Sequence, residues 1–223
     1  MTTIAELIAR WNSDEGKPYK SSLIDMDAYK ADPDNIGCMC AQGQVLHLIG
    51  GWGADRLHRE KQSIADAETA NLLNISRTHA ILLRQVNDSA DGAPAAVLTD
   101  LAMVLGNQWS KLLDFWHYLD GMTDQQLSDI EEVTWAAARR AAQDAALDAA
   151  VDAAGDAAWS AARVARCAIA GAAAPLASSE VQGADVMRRR GQSFFFLPRF
   201  GFDDPSQIPP RPDDYGIQTE QQQ

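Results

Sequence analysis

Cys38, Cys40, His47 and His58 are the side chains best suited to hold a metal, because thiolate and imidazole are ordinary zinc ligands. Their spacing works against it. If 38–49 is a helix, as its apolar pattern suggests, Cys38 and Cys40 point roughly 200° apart and cannot share an ion. The expectation is no metal, with at least one cysteine packed as a small apolar residue. The sequence has no G-x-S-x-G, no HExxH and no glycine-rich phosphate loop, and His117 sits among aromatic residues as a hydrogen-bonded boundary histidine would. No catalytic residue and no cofactor is assigned, and the chain is read as a non-enzyme.

A second set of side chains suits duplex DNA. In ADAETANLLNISRTHAILLRQV, residues 65–86, Ala70 is small where two helices would cross, and Leu73, Ile75, Ala80 and Leu83 fall at buried positions. Ser76 can cap the second helix. The spacing resembles the helix-turn-helix of small phage and bacterial regulators over about 20 residues, with Asn74 where such motifs most often have glycine. On that reading Arg77, Thr78, His79 and Arg84 face a groove, and Arg56, Arg59 and Lys61 lie near a backbone. The bland alternative is an ordinary helix pair inside a helical protein.

Phe194, Phe195, Phe196, Phe200 and Phe202 form a third candidate. Burying each contributes roughly 2 kcal/mol by area, so they require a partner. They either pack back onto the protein's own helices or make an apolar docking patch for another protein or a second copy. A fourth candidate is acidic: Asp114, Asp120, Asp124, Asp129, Glu131 and Glu132 could stand in for phosphates in a DNA mimic, or simply be a solvated face.

These side chains must be positioned by helices. Thr3 with Glu6 opens a helix whose Ile4, Leu7, Ile8 and Trp11 share a face. One turn is expected around Asp27, a helix over 38–49 ended by Gly50 and Gly51, and two or three short helices over 54–86, with Asn74 in a left-handed turn. Pro94 suits a first helical turn, and Trp109, Leu112, Leu113, Trp116 and Leu119 mark an amphipathic helix closed by Gly121. Thr123 with Gln126 opens an Ala-rich stretch expected to be one long helix over about 123–170, since 21 of the 39 residues from 136 to 174 are alanine. In it Asp144, Asp148, Asp152 and Asp156 recur every fourth residue. A short helix over 179–190, an extended aromatic strap and a mobile tail from Asp203 complete the reading. The fold class is all-α, a single domain over 1–202 with 203–223 as tail.

With 223 residues and 46% hydrophobic content the chain can bury a core. Its net charge of −12 repels phosphate, yet residues 56–86 carry 5 basic against 3 acidic side chains, the one net-positive stretch. No apolar run is long enough for a membrane helix, and Glu6 and Arg10 interrupt any signal core. Three cysteines make a poor disulfide framework and suit a reducing cytosol.

CMCAQG at 38–43, NISRTHAILLRQVND at 74–88, DGAP at 91–94, NQWSKLLDFW at 107–116, the AAxD/AAW tract and FFFLPRFGFDDP at 194–205 together resemble a group of actinobacteriophage proteins of the mycobacteriophage type, with Ala/Trp-rich tracts. The resemblance implies a bacterial cytoplasm during infection and a non-virion or host-interaction role, and it assigns no site residues. The leading expectation is thus a phage-encoded protein that binds a host or phage protein, with a homo-oligomer possible. The chief rival is a helix-turn-helix regulator on duplex DNA.

Overall fold

The computed structural model describes residues 2–13, 16–89, 94–105, 108–123, 125–126, 194 and 197–216. Over these the chain is all-α. The helices are α1 (Ile4–Asn12), α2 (Met26–Ala31), α3 (Ala41–Leu48), α4 (Ala54–Arg59), α5 (Gln62–Leu73), α6 (Arg77–Ser89), α7 (Pro94–Thr99), α8 (Leu101–Leu105) and α9 (Trp109–Asp120). Three tight 3-10 turns occur at Ile36–Cys38, Leu197–Phe200 and Pro205–Gln207. Among the described residues the only extended pairing is a bridge between Ile24 and Met39. The Thr123 and Gln126 side chains exchange hydrogen bonds with each other's backbone N–H at 3.2 and 2.8 Å, as a helix start requires. The rest of the Ala-rich tract, including the Asp ladder, and the 179–190 helix lie outside the described residues.

The chain divides into two compact units, Met1–Met103 with Pro212–Gln223, and Val104–Arg211. Pro212–Gly216 belongs to the first unit because it hydrogen-bonds Asn74 and Ser76.

In the first unit α1 begins with the expected capping box: Glu6 N–H donates to Thr3 Oγ1 at 3.2 Å, and Thr3 N–H to Glu6 Oε2 at 2.8 Å. Its Leu7, Ile8 and Trp11 are buried. The helix expected over 38–49 starts later. Cys38 closes a 3-10 turn, Met39 is extended, and Cys40 is the cap of α3, its Sγ accepting from Gly43 N–H at 3.3 Å. The reason is local pairing: Asp25 N–H reaches Cys38 O at 2.7 Å and Cys40 N–H reaches Leu23 O at 3.2 Å, so the segment runs beside 23–25 before it can coil. Gly43 permits that approach, since a Cβ there would stand 2.0 Å from Leu23 O.

Helix α6 organises this unit. It packs on α3, α5 and α7, and buries Ala80, Leu82, Leu83 and Val86. Its polar side chains tie the other elements to it. His79 Nε2 donates to Val97 O of α7 at 2.8 Å, and Asn87 accepts from Ala41 N–H at 3.2 Å while donating to Tyr19 O at 2.8 Å. Arg84 pairs with buried Asp66 of α5 at 3.3 Å.

In the second unit α9 buries Leu112, Leu113, Phe115, Trp116 and Leu119, the face its periodicity marks. The strap expected to be extended coils instead into the Leu197–Phe200 turn, which ends at Gly201 with φ +81°. Leu197 and Ile208 are buried, which anchors 203–211 as well.

Candidate interaction surface

The helix-turn-helix set separates into an inner and an outer half. The helix pair itself is present: α5, a turn at Asn74 with φ 51° and ψ 46°, then α6, with His79 N–H bonded to the Ser76 hydroxyl at 3.0 Å. Asn74 takes the left-handed conformation that glycine usually supplies, and Ala70, Leu73, Ile75, Ala80 and Leu83 are buried as the motif requires. Three of the four groove-reading residues do not follow. Thr78 and His79 are 4% and 2% exposed, and Arg84 is held against Asp66. The physical reason is that α6 is covered on more than one side: α3 and α5 take its apolar face, and α7 covers the face a DNA reader would leave open.

Around Asp66 a polar cluster closes on itself. Gln42 Nε2 donates to Asp66 Oδ1 at 2.9 Å and to Ala80 O at 3.0 Å, and Gln42 Oε1 accepts from Gln62 Nε2 at 2.8 Å. Gln62 also donates to Asp66 at 3.0 Å. Gln44 makes a second hub, accepting the Trp11 indole N–H at 2.8 Å and donating to Ile36 O and Met39 O. Sequence inspection missed Gln42 and Gln44. Two glutamines flanking a glycine in an otherwise apolar stretch, CAQGQVL, are the signal that could have found them.

The candidate metal ligands occupy separate structural roles. Cys38 and Cys40 are both buried; burial raises the Cys38 thiol, and burial pushes Cys40 up to about 12 against the weaker opposing pull of Gly43 N–H. His47 Nδ1 faces Trp52 O at 2.7 Å, and His58 is exposed on α4. His117 is half-buried near the end of α9.

The outer half of the basic set lies on α4 and the start of α5. Arg56, His58, Arg59, Lys61 and Ile64 are all exposed, Ile64 at 44%. The Arg56 guanidinium lies 3.6 Å over the Trp52 ring and pairs with Glu60 at 3.5 Å. Arg77 is exposed at the first position of α6.

The described phenylalanines turn inward rather than outward. Phe194 and Phe200 are buried and Phe202 is half-buried, with Phe200 edge-on to Phe115 and Phe202 edge-on to Tyr118, each at 5.0 Å between ring centroids. Phe194 and Phe200 are committed to the core of their own unit and are not open to a partner; Phe195 and Phe196 lie outside the described residues. Asp114 likewise is no surrogate phosphate. It is 5% exposed, paired with Arg211 at 2.6 Å and Lys111 at 3.2 Å. Asp120 is exposed, and Asp124, Asp129, Glu131 and Glu132 are outside the described residues.

Among the described residues no helix is long and apolar enough to cross a membrane. Compared with family models, curated proteins and solved structures, the chain matches none at a significant level.

Proposed function

We propose that this chain is a non-enzymatic binding protein, phage-encoded and acting in the bacterial cytoplasm, whose partner is another protein of host or phage. The observation that carries this is the division of the basic set. Thr78 and His79 of α6 are buried and Arg84 is paired with Asp66, while Arg59, Lys61 and Ile64 are exposed around the end of α4 and the start of α5. Cations beside an exposed aliphatic side chain suit a mixed protein interface, and their sign suits an acidic partner surface. Duplex binding would have to overcome a net charge of −12.

A photo-crosslinking residue placed at Ile64 in cells expressing the full chain tests the reading. A discrete protein adduct that disappears in Arg59→Glu/Lys61→Glu supports it, and no adduct at that position contradicts it.

The helix-turn-helix regulator is the second reading, favoured by the α5–α6 topology with its left-handed turn. A mobility shift at two salt concentrations decides it. Binding that weakens steeply with salt and is lost in Arg56→Ala/Arg59→Ala/Lys61→Ala supports a DNA binder, and no shift at micromolar protein removes it.

A further inference from the structure

The segment Pro212–Gly216 lies across the turn between α5 and α6, and its contacts are those of a read sequence rather than of a loose tail. Gly216 N–H donates to Asn74 O at 2.7 Å, and the Asn74 side-chain amide donates to Asp214 O. Ser76 N–H donates to the Tyr215 hydroxyl at 2.9 Å, and that hydroxyl stands 3.4 Å from His79 Nδ1. Val97 O can only accept, so His79 Nε2 carries the proton it donates there, and in the neutral ring Nδ1 is then an acceptor for the Tyr215 O–H. The two rings lie parallel, 6.4 Å between centroids.

Each feature of the segment has a use. Tyr215 N–H bonds Pro212 O at 3.1 Å, making a turn, and Gly216 has φ +100°, a conformation that side chains rarely adopt. The hydroxyl satisfies both a backbone donor and an imidazole. The slot therefore selects a turn that ends in Tyr-Gly. Pro212, Asp213 and Asp214 are exposed, and Tyr215 and Gly216 only half-buried, so the segment lies at the surface of its unit and its departure would uncover the Ser76 and His79 groups it now satisfies.

We propose that this slot is a recognition site for a turn ending in Tyr-Gly on a partner polypeptide, and that the chain's own Pro212–Gly216 occupies it as a built-in competitor. Tethering gives the internal copy a high local concentration, so a free ligand gains entry only when its own fit is better or the internal copy is weakened. This site is independent of the α4–α5 corner.

The probe is a fluorescent peptide copying residues 209–218, PPRPDDYGIQ, titrated by anisotropy against the full chain. Tyr215→Ala should bind it at least about tenfold more tightly than the unaltered protein. Tyr215→Phe, which keeps the ring and hence the packing, should fall between the two, and the same peptide with phenylalanine for tyrosine should bind at least about fivefold more weakly. Equal binding to all three proteins, or binding to none, overturns the proposal. A concentration-dependent dimer of the unaltered chain that vanishes in Tyr215→Ala overturns the partner segment in favour of tail exchange between copies. A salt-steep gain of duplex binding in Tyr215→Ala overturns it in favour of a guard over a groove-reading helix.

Discussion

Gly43, Asp66 and Cys40 each have a measurable role at the scale of single side chains. Gly43→Ala places a methyl against the Leu23 carbonyl, which is backbone and cannot swing aside, so the cost should reach about 3 kcal/mol in urea unfolding. Asp66→Asn removes the charge opposite Arg84 while leaving two glutamines to be satisfied, and should cost about 2 kcal/mol given that Arg84 is partly solvated. A destabilisation under 0.5 kcal/mol in either variant would show the close approach or the polar cluster to be incidental. Cys40, held protonated up to about 12, and the buried Cys38 should resist alkylation at pH 8 when mapped peptide by peptide, and react once denaturant is added. The sign for stability follows. A thiol whose folded pKa is raised leaves stability intact below its ordinary value near 9, and removes it as pH climbs from there toward 12, where only the unfolded chain ionises.

Local rules of helix formation explain why α1, α7 and α9 were legible in the sequence. Each has its own start signal or apolar period, namely Thr3 with Glu6, Pro94, and the Trp109-to-Leu119 stripe, and Asn74 declared its left-handed turn by type alone. The start of α3 was not legible. Cys38 to Cys40 read as helical because of their flanking apolar residues, and only pairing with Leu23 and Asp25, distant in no local pattern, draws them straight. The capping box of α1 also has a pH signature. Thr3 N–H holds the Glu6 carboxyl below its ordinary range, so its stabilising effect is complete above about 4.5 and is lost as pH falls through the lower folded value. In Glu6→Gln the acid limb of the thermal-unfolding profile should become shallower; an unchanged limb would mean that the box contributes nothing in solution.

For the molecule as a whole, the sequence revealed the α5–turn–α6 helix pair but not what covers it. The pattern over 65–86 specifies which residues face α5, whereas the partners that cover His79 are Val97 and Tyr215, 18 and 136 residues away. The same limit applied to the phenylalanines, whose composition demanded a partner without saying that α9 would be it. The first unit therefore depends on α6 as its central helix and not as a surface reader. Amide hydrogen exchange on the native full chain, resolved over residues 77–86, tests this most directly. If α6 is the core, those amides exchange only through global unfolding, as slowly as any in the protein and with a rate that tracks total stability in denaturant. Exchange through local opening, insensitive to total stability, would contradict it.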